Sequence, residues 1–309
     1  MRILLIDSAH PALAERLTAA GHVCVLPDGS GYSKIDGIVV RSSLVDAALL
    51  QASPGLRFVA RIGSGIENID VAYCHRHNIR VLNSPEGNRD GVGESAVMLL
   101  LALMKMVIPA NAQVRAGIWP REANRGTELR GKNVGIIGYG QMGSAFAEKL
   151  RGFGVSVLAH DKYKSGFEKA GVRECSLDEL LRESDVISLH LPLNAGTHHF
   201  ADAAFFNRLK NPVWFLNTAR GAVVHTKALL DALDAGRVIA AGLDVLEFER
   251  ADLSGLDPDM EPETQRRLFD HPRVLITPHI AGVTHEGRYK LASVLADKII
   301  EAFPNEPDR

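Results

Sequence analysis

The sequence predicts two doubly wound α/β domains built on parallel sheets, and three observations carry that expectation. Short runs rich in Ile, Val and Leu recur between polar residues, as strands covered on both faces require. Helix-like segments separate these runs, and strand–helix alternation builds parallel sheets through right-handed crossovers. The pattern also starts twice, as RILLID from Arg2 and as KNVGIIGYG from Lys132, in a chain of 309 residues that exceeds one ordinary core.

In the first half, strands are expected at Ile3–Ile6, His22–Leu26, Gly37–Val40, Phe58–Arg61 and Arg80–Leu82. Helices fall between them, at Pro11–Ala20 and Leu44–Gln51 for example. The second half offers strands at Asn133–Ile137, Ser156–His160, Val186–Leu189, Val213–Leu216, Ala240–Leu243 and Val274–Ile276. Its intervening helices include Met142–Gly152, Ser176–Arg182, Ala203–Leu209 and Lys227–Ala235. The polar, glycine-rich stretch EGNRDGVGES marks the boundary near Asp90, and one long apolar helix is expected after it, about Val92 to Ala116. A last amphipathic helix, Thr284–Phe303, is too small to be a domain and is expected to pack back on the first part. The predicted division is therefore 1–91 plus 283–309, and 92–282.

Composition narrows the function classes. Hydrophobic residues make up 46% and charged residues 23%, as in globular chains. The net charge of −2 supplies no basic field for nucleic acid or an anionic membrane. Cys24, Cys74 and Cys175 lie far apart and form neither a CxxC pair nor a disulfide framework, which suits a reducing compartment. The start is too short for a signal-peptide core, and the run AVMLLLALM, Ala96 to Met104, is too short to span a bilayer. A cytoplasmic protein without a metal site is the expectation.

Gly138, Gly140 and Gly143 stand in G-x-G-x-x-G spacing between an apolar strand and a helix. The first glycine allows a tight turn, the second lets a pyrophosphate approach the backbone, and the third lets helix and strand pack closely. The helix start at Gln141 and Met142 then supplies N–H groups and a partial positive charge. Asp161 ends the next strand and is placed to accept hydrogen bonds from ribose hydroxyls while repelling a 2′-phosphate. That favours NAD over NADP, a preference weakened by neighbouring Lys162.

The stretch VWFLNTARG puts a permanent cation, Arg220, at the mouth of a buried strand. Later strands deliver Asp244, Glu247 and Glu249, and then His279. Ligands of open parallel sheets sit outside the carboxyl ends of the strands, so these groups are placed to converge. Reduction of a 2-keto acid builds negative charge on the carbonyl oxygen, which a cation stabilises and an acid protonates. His279 suits the acid, Glu249 its carboxylate partner, and Arg220 the substrate carboxylate. An ion pair with Asp244 would satisfy Arg220 equally well.

With these motifs assembled, nearly the whole chain resembles the D-isomer-specific 2-hydroxyacid dehydrogenase family, which includes phosphoglycerate dehydrogenase. VRSS (Val40–Ser43), RIGSGIENID (Arg61–Asp70), NSPEGN (Asn83–Asn88) and VGES (Val92–Ser95) match its substrate-domain pattern. GIIGYGQMG, SLHLPLN, NTARG, GLDVLEFE and TPHIAG match its nucleotide domain, in order. The resemblance implies a flavodoxin-like substrate domain and a Rossmann NAD domain with a cleft between them. It implies Arg220, Glu249 and His279 as the catalytic set, and NAD on Gly138 to Gly143 with Asp161 at the ribose. Asp244 would lie near the nicotinamide carboxamide, Thr218 and Gly282 at the nicotinamide end, and His190 and Pro192 on the adenosine side. The loop Gly63-Ser64-Gly65 would take the substrate carboxylate through backbone N–H groups. A phosphorylated substrate needs added cation nearby, for which the sequence offers Arg41 and Arg61. The resemblance also implies a homodimer with the Val92–Ala116 helix at the interface, although burial within one subunit would explain that helix equally well.

Two features depart from the family pattern. Arg250 replaces the usual Pro after the catalytic Glu, and the stretch Arg250–Phe269, containing LSGLDPDMEPE, is longer than usual. No C-terminal regulatory domain is expected. The resemblance points first to NAD-dependent, phosphoglycerate dehydrogenase-like interconversion of a D-2-hydroxy acid and its 2-keto acid. A hydroxypyruvate or glyoxylate reductase is the alternative, and a non-enzymatic NAD-sensing corepressor-like protein a further one.

Overall fold

The computed structural model describes residues 1–28, 32, 34–168, 171–250, 255–257 and 261–304. The chain divides into two compact units, Met1–Arg89 with the C-terminal segment from Val283, and Asp90–Glu249 with Gly255–Gly282.

The first unit holds β1 (Arg2–Leu5), α1 (Ala12–Ala19), β2 (Val23–Val25), β3 (Gly37–Val40), α2 (Ala47–Gln51), β4 (Phe58–Arg61), α3 (Val71–Arg76) and β5 (Arg80–Asn83). The five strands form one parallel sheet in the order β2-β1-β3-β4-β5. This is the flavodoxin-like order, with its switch point between β1 and β3. The C-terminal helix of the chain covers this sheet: its Leu295, Ala296 and Ile299 are buried against Ile3, Leu13 and Phe58. Asp46 and Asp70 start α2 and α3 by accepting the N–H of Leu49 and Tyr73.

The second unit opens with α4 (Arg89–Met104) and α5 (Val107–Arg115). It continues through β6 (Asn133–Ile137), α6 (Gln141–Lys149), β7 (Ser156–His160), β8 (Val172–Glu174), α7 (Leu177–Glu183), β9 (Val186–Leu189), α8 (Ala203–Asn207) and β10 (Val213–Asn217). It closes with α9 (Thr226–Asp234), β11 (Val238–Leu243), α10 (Pro262–Asp270) and β12 (Val274–Ile276), and α11 (His285–Ala302) is the C-terminal helix of the first unit. The seven strands are parallel in the order β12-β11-β10-β9-β6-β7-β8. Order reverses between β6 and β9, which places the binding crevice outside the carboxyl ends of those two strands.

The single helix expected over Val92–Ala116 is two helices. Met106 takes a left-handed backbone, φ 54°, and α5 leaves α4 at 62°. Pro109 is the cause in the sequence: it cannot donate to Lys105, and its ring clashes with that carbonyl in a continuous helix. The Thr127 N–H caps the break on Met104 O at 2.8 Å. α4 buries Val92, Ala96, Leu99, Leu100 and Met104, whereas α5 buries nothing. No single helix among the described residues is long and apolar enough to cross a membrane.

Three elements had been given no bounds from the sequence: α3, the short edge strand β8 and α10. α10 lies inside the stretch read as a long loop. Arg267 fastens it to α9 through Asp231 and Asp234, and Leu268 is buried. The parts of that loop at 251–254 and 258–260 lie outside the described residues.

Candidate active site

The glycine loop lies at the switch point, and packing explains two of its three glycines. Gly138 has φ 92°, and a Cβ there would come 2.4 Å from His190 O at the end of β9. A Cβ on Gly143 would come 2.1 Å from Gly138 O. Gly140 meets nothing within 4 Å, so it leaves bare backbone facing open space. No side chain caps the start of α6 at Gly140, where Gln141, Met142 and Gly143 form the first turn. Uncapped N–H groups at a helix start are an anion site in waiting.

Asp161 follows β7. Its Oδ2 accepts the Tyr139 N–H of the glycine loop at 2.8 Å, and its Oδ1 accepts Tyr163 and Lys164 N–H groups at 2.9 and 3.0 Å. The carboxylate thus ties the loop to the next turn, and Oδ2 keeps a lone pair for a ligand. A cavity of about 630 Å³ opens beside it, lined by Lys162, Lys164, Glu174 and Ser176 among others.

Two buried polar atoms on this carboxyl edge have no hydrogen-bond partner among the described residues: His190 Nδ1 and Thr218 Oγ1. Such atoms are rare in folded proteins without a ligand or water to meet them. His190 Nε2 lies 2.9 Å from Ser188 Oγ, and burial pushes the imidazole down to about 3. Pro192 is exposed two residues on. Bare loop, uncapped helix, Asp161 and the two orphaned atoms together fit a nicotinamide dinucleotide laid along the edge.

Arg220 sits three residues beyond β10 on a turn built by Asn217. The buried Asn217 amide accepts the Ala219 N–H at 3.0 Å and donates to Arg220 O at 2.9 Å. The guanidinium Nη1 donates to Ala219 O at 2.6 Å. Gly221 then presses on the segment after β11: a Cβ there would lie 1.8 Å from Leu246 O, so only glycine fits.

That same segment carries Glu249, whose Oε1 accepts the Leu246 N–H at 2.6 Å. Its Oε2 lies 2.8 Å from His279 Nδ1. His279 holds a left-handed backbone, φ 54°, an uncommon state for a non-glycine residue. Asp244 enforces it from inside. This residue is 1% exposed, and its backbone O accepts the His279 N–H at 2.7 Å. Its carboxylate takes the Thr277 hydroxyl at 2.5 Å and the N–H groups of Ile280 and Ala281 at 2.9 and 2.8 Å, just before Gly282. β10, β11 and β12 are neighbours, so Arg220, Glu249 and His279 all lie at one edge of one sheet. The ion pair between Arg220 and Asp244 held open by the sequence is not the arrangement of this carboxylate, which holds the His279 loop instead.

Arg41, Ser64 and Gly65 belong to the first unit. Arg61 braces that region, donating from Nε to Arg41 O at 3.0 Å and from Nη1 to Gly65 O at 2.9 Å. Asn83 holds Ser64 O at 2.6 Å. Asp7 was not singled out by sequence, yet it occupies the switch point of this sheet. Its carboxylate accepts the N–H groups of Arg41, Ser42 and Ser43 and the Ser43 hydroxyl. Burial alone would raise its pKa, and these donors hold it below the usual value. An acid directly after a strand is the only linear signal it gives. Asn217 and Glu247 were likewise missed as organisers, because their partners are set by the turn and not by spacing.

Loop and pair together define the class: a dinucleotide-dependent enzyme that handles a proton at the carboxyl edge of its sheet. Residues 97–281 match the profile described as "D-isomer specific 2-hydroxyacid dehydrogenase, NAD binding domain", and the chain belongs to that dehydrogenase family. It is 36% identical over 269 residues to a hydroxypyruvate reductase of Thermotoga maritima, covering 87% of this chain and 85% of that one. It is also 36% identical over 279 residues to a D-3-phosphoglycerate dehydrogenase of Archaeoglobus fulgidus, covering 89% of this chain but only 51%, about half, of that one. The crystal structure of Aquifex aeolicus D-lactate dehydrogenase complexed with NAD and lactic acid superposes with a TM-score of 0.82. The sequences are 29% identical, over 98% of this chain and 95% of that one.

Proposed function

We propose that the chain interconverts a small, unphosphorylated D-2-hydroxy acid and its 2-keto acid, of the glyoxylate and hydroxypyruvate kind, with NAD(H) preferred over NADP(H). The observation that carries the reading is the 2.8 Å pair of His279 and Glu249 on the same sheet edge as Arg220. When bound, the nicotinamide supplies or accepts the hydride. Arg220 pairs with the substrate carboxylate and polarises its carbonyl. With Nδ1 directed at Glu249, His279 uses Nε2 to protonate the oxygen in reduction and to take the proton back in oxidation. Glu249 favours the imidazolium and fixes the ring plane.

Two observations support the small substrate. Arg61, one of the cations a phosphate group would call on, is bound to the carbonyls of Arg41 and Gly65. A hydroxypyruvate reductase is among the relatives, at 36% identity over 269 residues. Ser64, Gly65 and Arg41 remain the first unit's substrate-binding residues in this reading. The units then act as a substrate domain and a nucleotide domain.

A panel of glyoxylate, hydroxypyruvate, pyruvate and phosphohydroxypyruvate with NADH and with NADPH tests both parts. Glyoxylate or hydroxypyruvate should turn over fastest, with NADH favoured about tenfold or more, roughly 1.4 kcal/mol. Asp161→Ser should narrow that ratio by weakening the repulsion of a 2′-phosphate. Faster turnover of phosphohydroxypyruvate would remove the substrate assignment, and a wild-type preference for NADPH would remove the cofactor assignment.

A homodimer fits the surface of the second unit. Met98, Val107, Ile108, Val114, Ile118 and Trp119 are exposed along α4, α5 and the turn that follows, with Trp119 at 75%. Large apolar side chains exposed in this number on neighbouring elements suit an interaction site. Sedimentation should give twice the chain mass, and Ile108→Glu with Trp119→Glu should return it to one. A monomeric wild type would sink the proposal.

A further inference from the structure

A second histidine–carboxylate pair lies behind Arg220, and we propose that it positions the Arg220 turn for substrate binding. The pair is His199 and Glu247, two residues before Glu249. The proposal rests on the reading of Arg220 given above.

Glu247 joins three segments. Its Oε1 meets His199 Nε2, and its Oε2 accepts the Thr226 N–H, the first residue of α9, at 2.8 Å. Its own backbone lies against Gly221: a Cβ on that glycine would come 2.5 Å from Glu247 N. The carboxylate side chain is only 13% exposed.

His199 closes the frame from the other side. Its backbone N–H donates to Ala222 O at 2.8 Å, two residues past Arg220. It does so with φ 51°, a conformation that β-carbon residues adopt only when their surroundings impose it. The His198 ring lies 3.9 Å and the His225 ring 4.7 Å from the His199 ring. His225 caps α9 by accepting the Ala228 N–H on Nδ1. The turn Gly221–Val223 is therefore gripped at Ala222 by His199 and at Gly221 by the Glu247 backbone, with the side chains of the two gripping residues bonded to each other. Asn217 sets the turn locally, and the His199–Glu247 pair fixes it against the Glu249 segment. The contacts of the pair are to the Arg220 turn, the start of α9 and the Glu249 segment, so the role proposed for it is positional. A half-ångström drift of a carboxylate-binding guanidinium already costs rate, because productive geometry is narrow.

The test is a double-mutant cycle read by kinetics with glyoxylate or hydroxypyruvate and by NADH fluorescence titration. His199→Ala should lower kcat/KM for the keto acid by roughly tenfold or more, chiefly through KM, with the NADH dissociation constant within about twofold. His199→Gln, whose amide can still donate to Glu247, should recover to within about threefold of wild type. On an Arg220→Ala background, His199→Ala should cost less than about twofold, because the group it positions is gone. Glu247→Gln serves as the second variant if His199→Ala does not fold, and should show the same background dependence. An equal loss on both backgrounds, or a parallel loss of NADH affinity, would overturn the proposal in favour of a general structural role. Near-normal kcat/KM in Arg220→Ala alone would instead overturn the reading of Arg220 and, with it, the purpose assigned to the pair.

Discussion

Arg220→Ala and His279→Ala are each expected to lower kcat/KM for the keto acid by about three orders of magnitude, with NADH affinity changed by less than about twofold. The losses have different origins. In the proposed reading, Arg220→Ala takes from the substrate carboxylate and the growing charge on the carbonyl oxygen their fork of donors. Arg220→Lys should not restore the rate, because an ammonium point charge cannot reproduce a planar bidentate contact. His279→Ala removes the group assigned in that reading to protonate the carbonyl oxygen, and solvent must supply the proton. NADH affinity is spared in both because the glycine loop and Asp161 stand at the ends of β6 and β7, whereas these two residues follow β10 and β12. Steady-state kinetics beside fluorescence titration of NADH separates the two effects. Turnover within threefold of wild type in either variant would end the catalytic assignment for that residue.

Acidification of the apoprotein is the second large effect. The His190 imidazole is pushed down to about 3 by burial, against 6.5 for an ordinary histidine. Between those values the unfolded chain binds a proton at this position and the native chain does not, so stability falls as pH falls. From pH 7.5 to pH 5 the loss from His190 alone is about 2 kcal/mol, and it holds for any native value well below 5. Burial also depresses His22, and burial with the Arg273 charge depresses His271, so both act in the same direction. Trp119 and Trp214 both lie in the second unit with His190, and urea unfolding followed by tryptophan fluorescence reads that unit directly. The unfolding midpoint should drop steadily over this range, and His190→Gln should flatten much of the decline. A wild type equally stable at pH 7.5 and pH 5 would mean that the buried imidazole is protonated in the native state after all.

Much of this molecule was legible in the linear chain, for reasons that differ by element. Buried parallel strands announce themselves as apolar runs, and eleven of the twelve observed strands coincide with expected ones to within a residue at most ends. The short edge strand β8 marks the limit: it is VRE, with only Val172 buried, so no apolar run announces it. The break between α4 and α5 was written in Pro109, but a continuous apolar pattern masked it. α10 was hidden by its polarity: PETQRRLFD carries two acids and two arginines and buries only Thr264 and Leu268, so it shows no apolar stripe.

By itself the sequence determined the two-sheet architecture and the glycine loop with its acid, and it named Arg220, Glu249 and His279 as the residues on which the proposed reading rests. Periodicity, turn chemistry and residue type are local properties, and a chain displays them without folding. Only the tertiary structure decided that His279 Nδ1 faces Glu249, that Asp244 clamps the His279 loop, and that Glu247 joins His199 behind Arg220. Those contacts join residues 30, 37 and 48 positions apart. They depend on which strands become neighbours and on how each turn leaves its strand, and no pattern within a single segment carries that information.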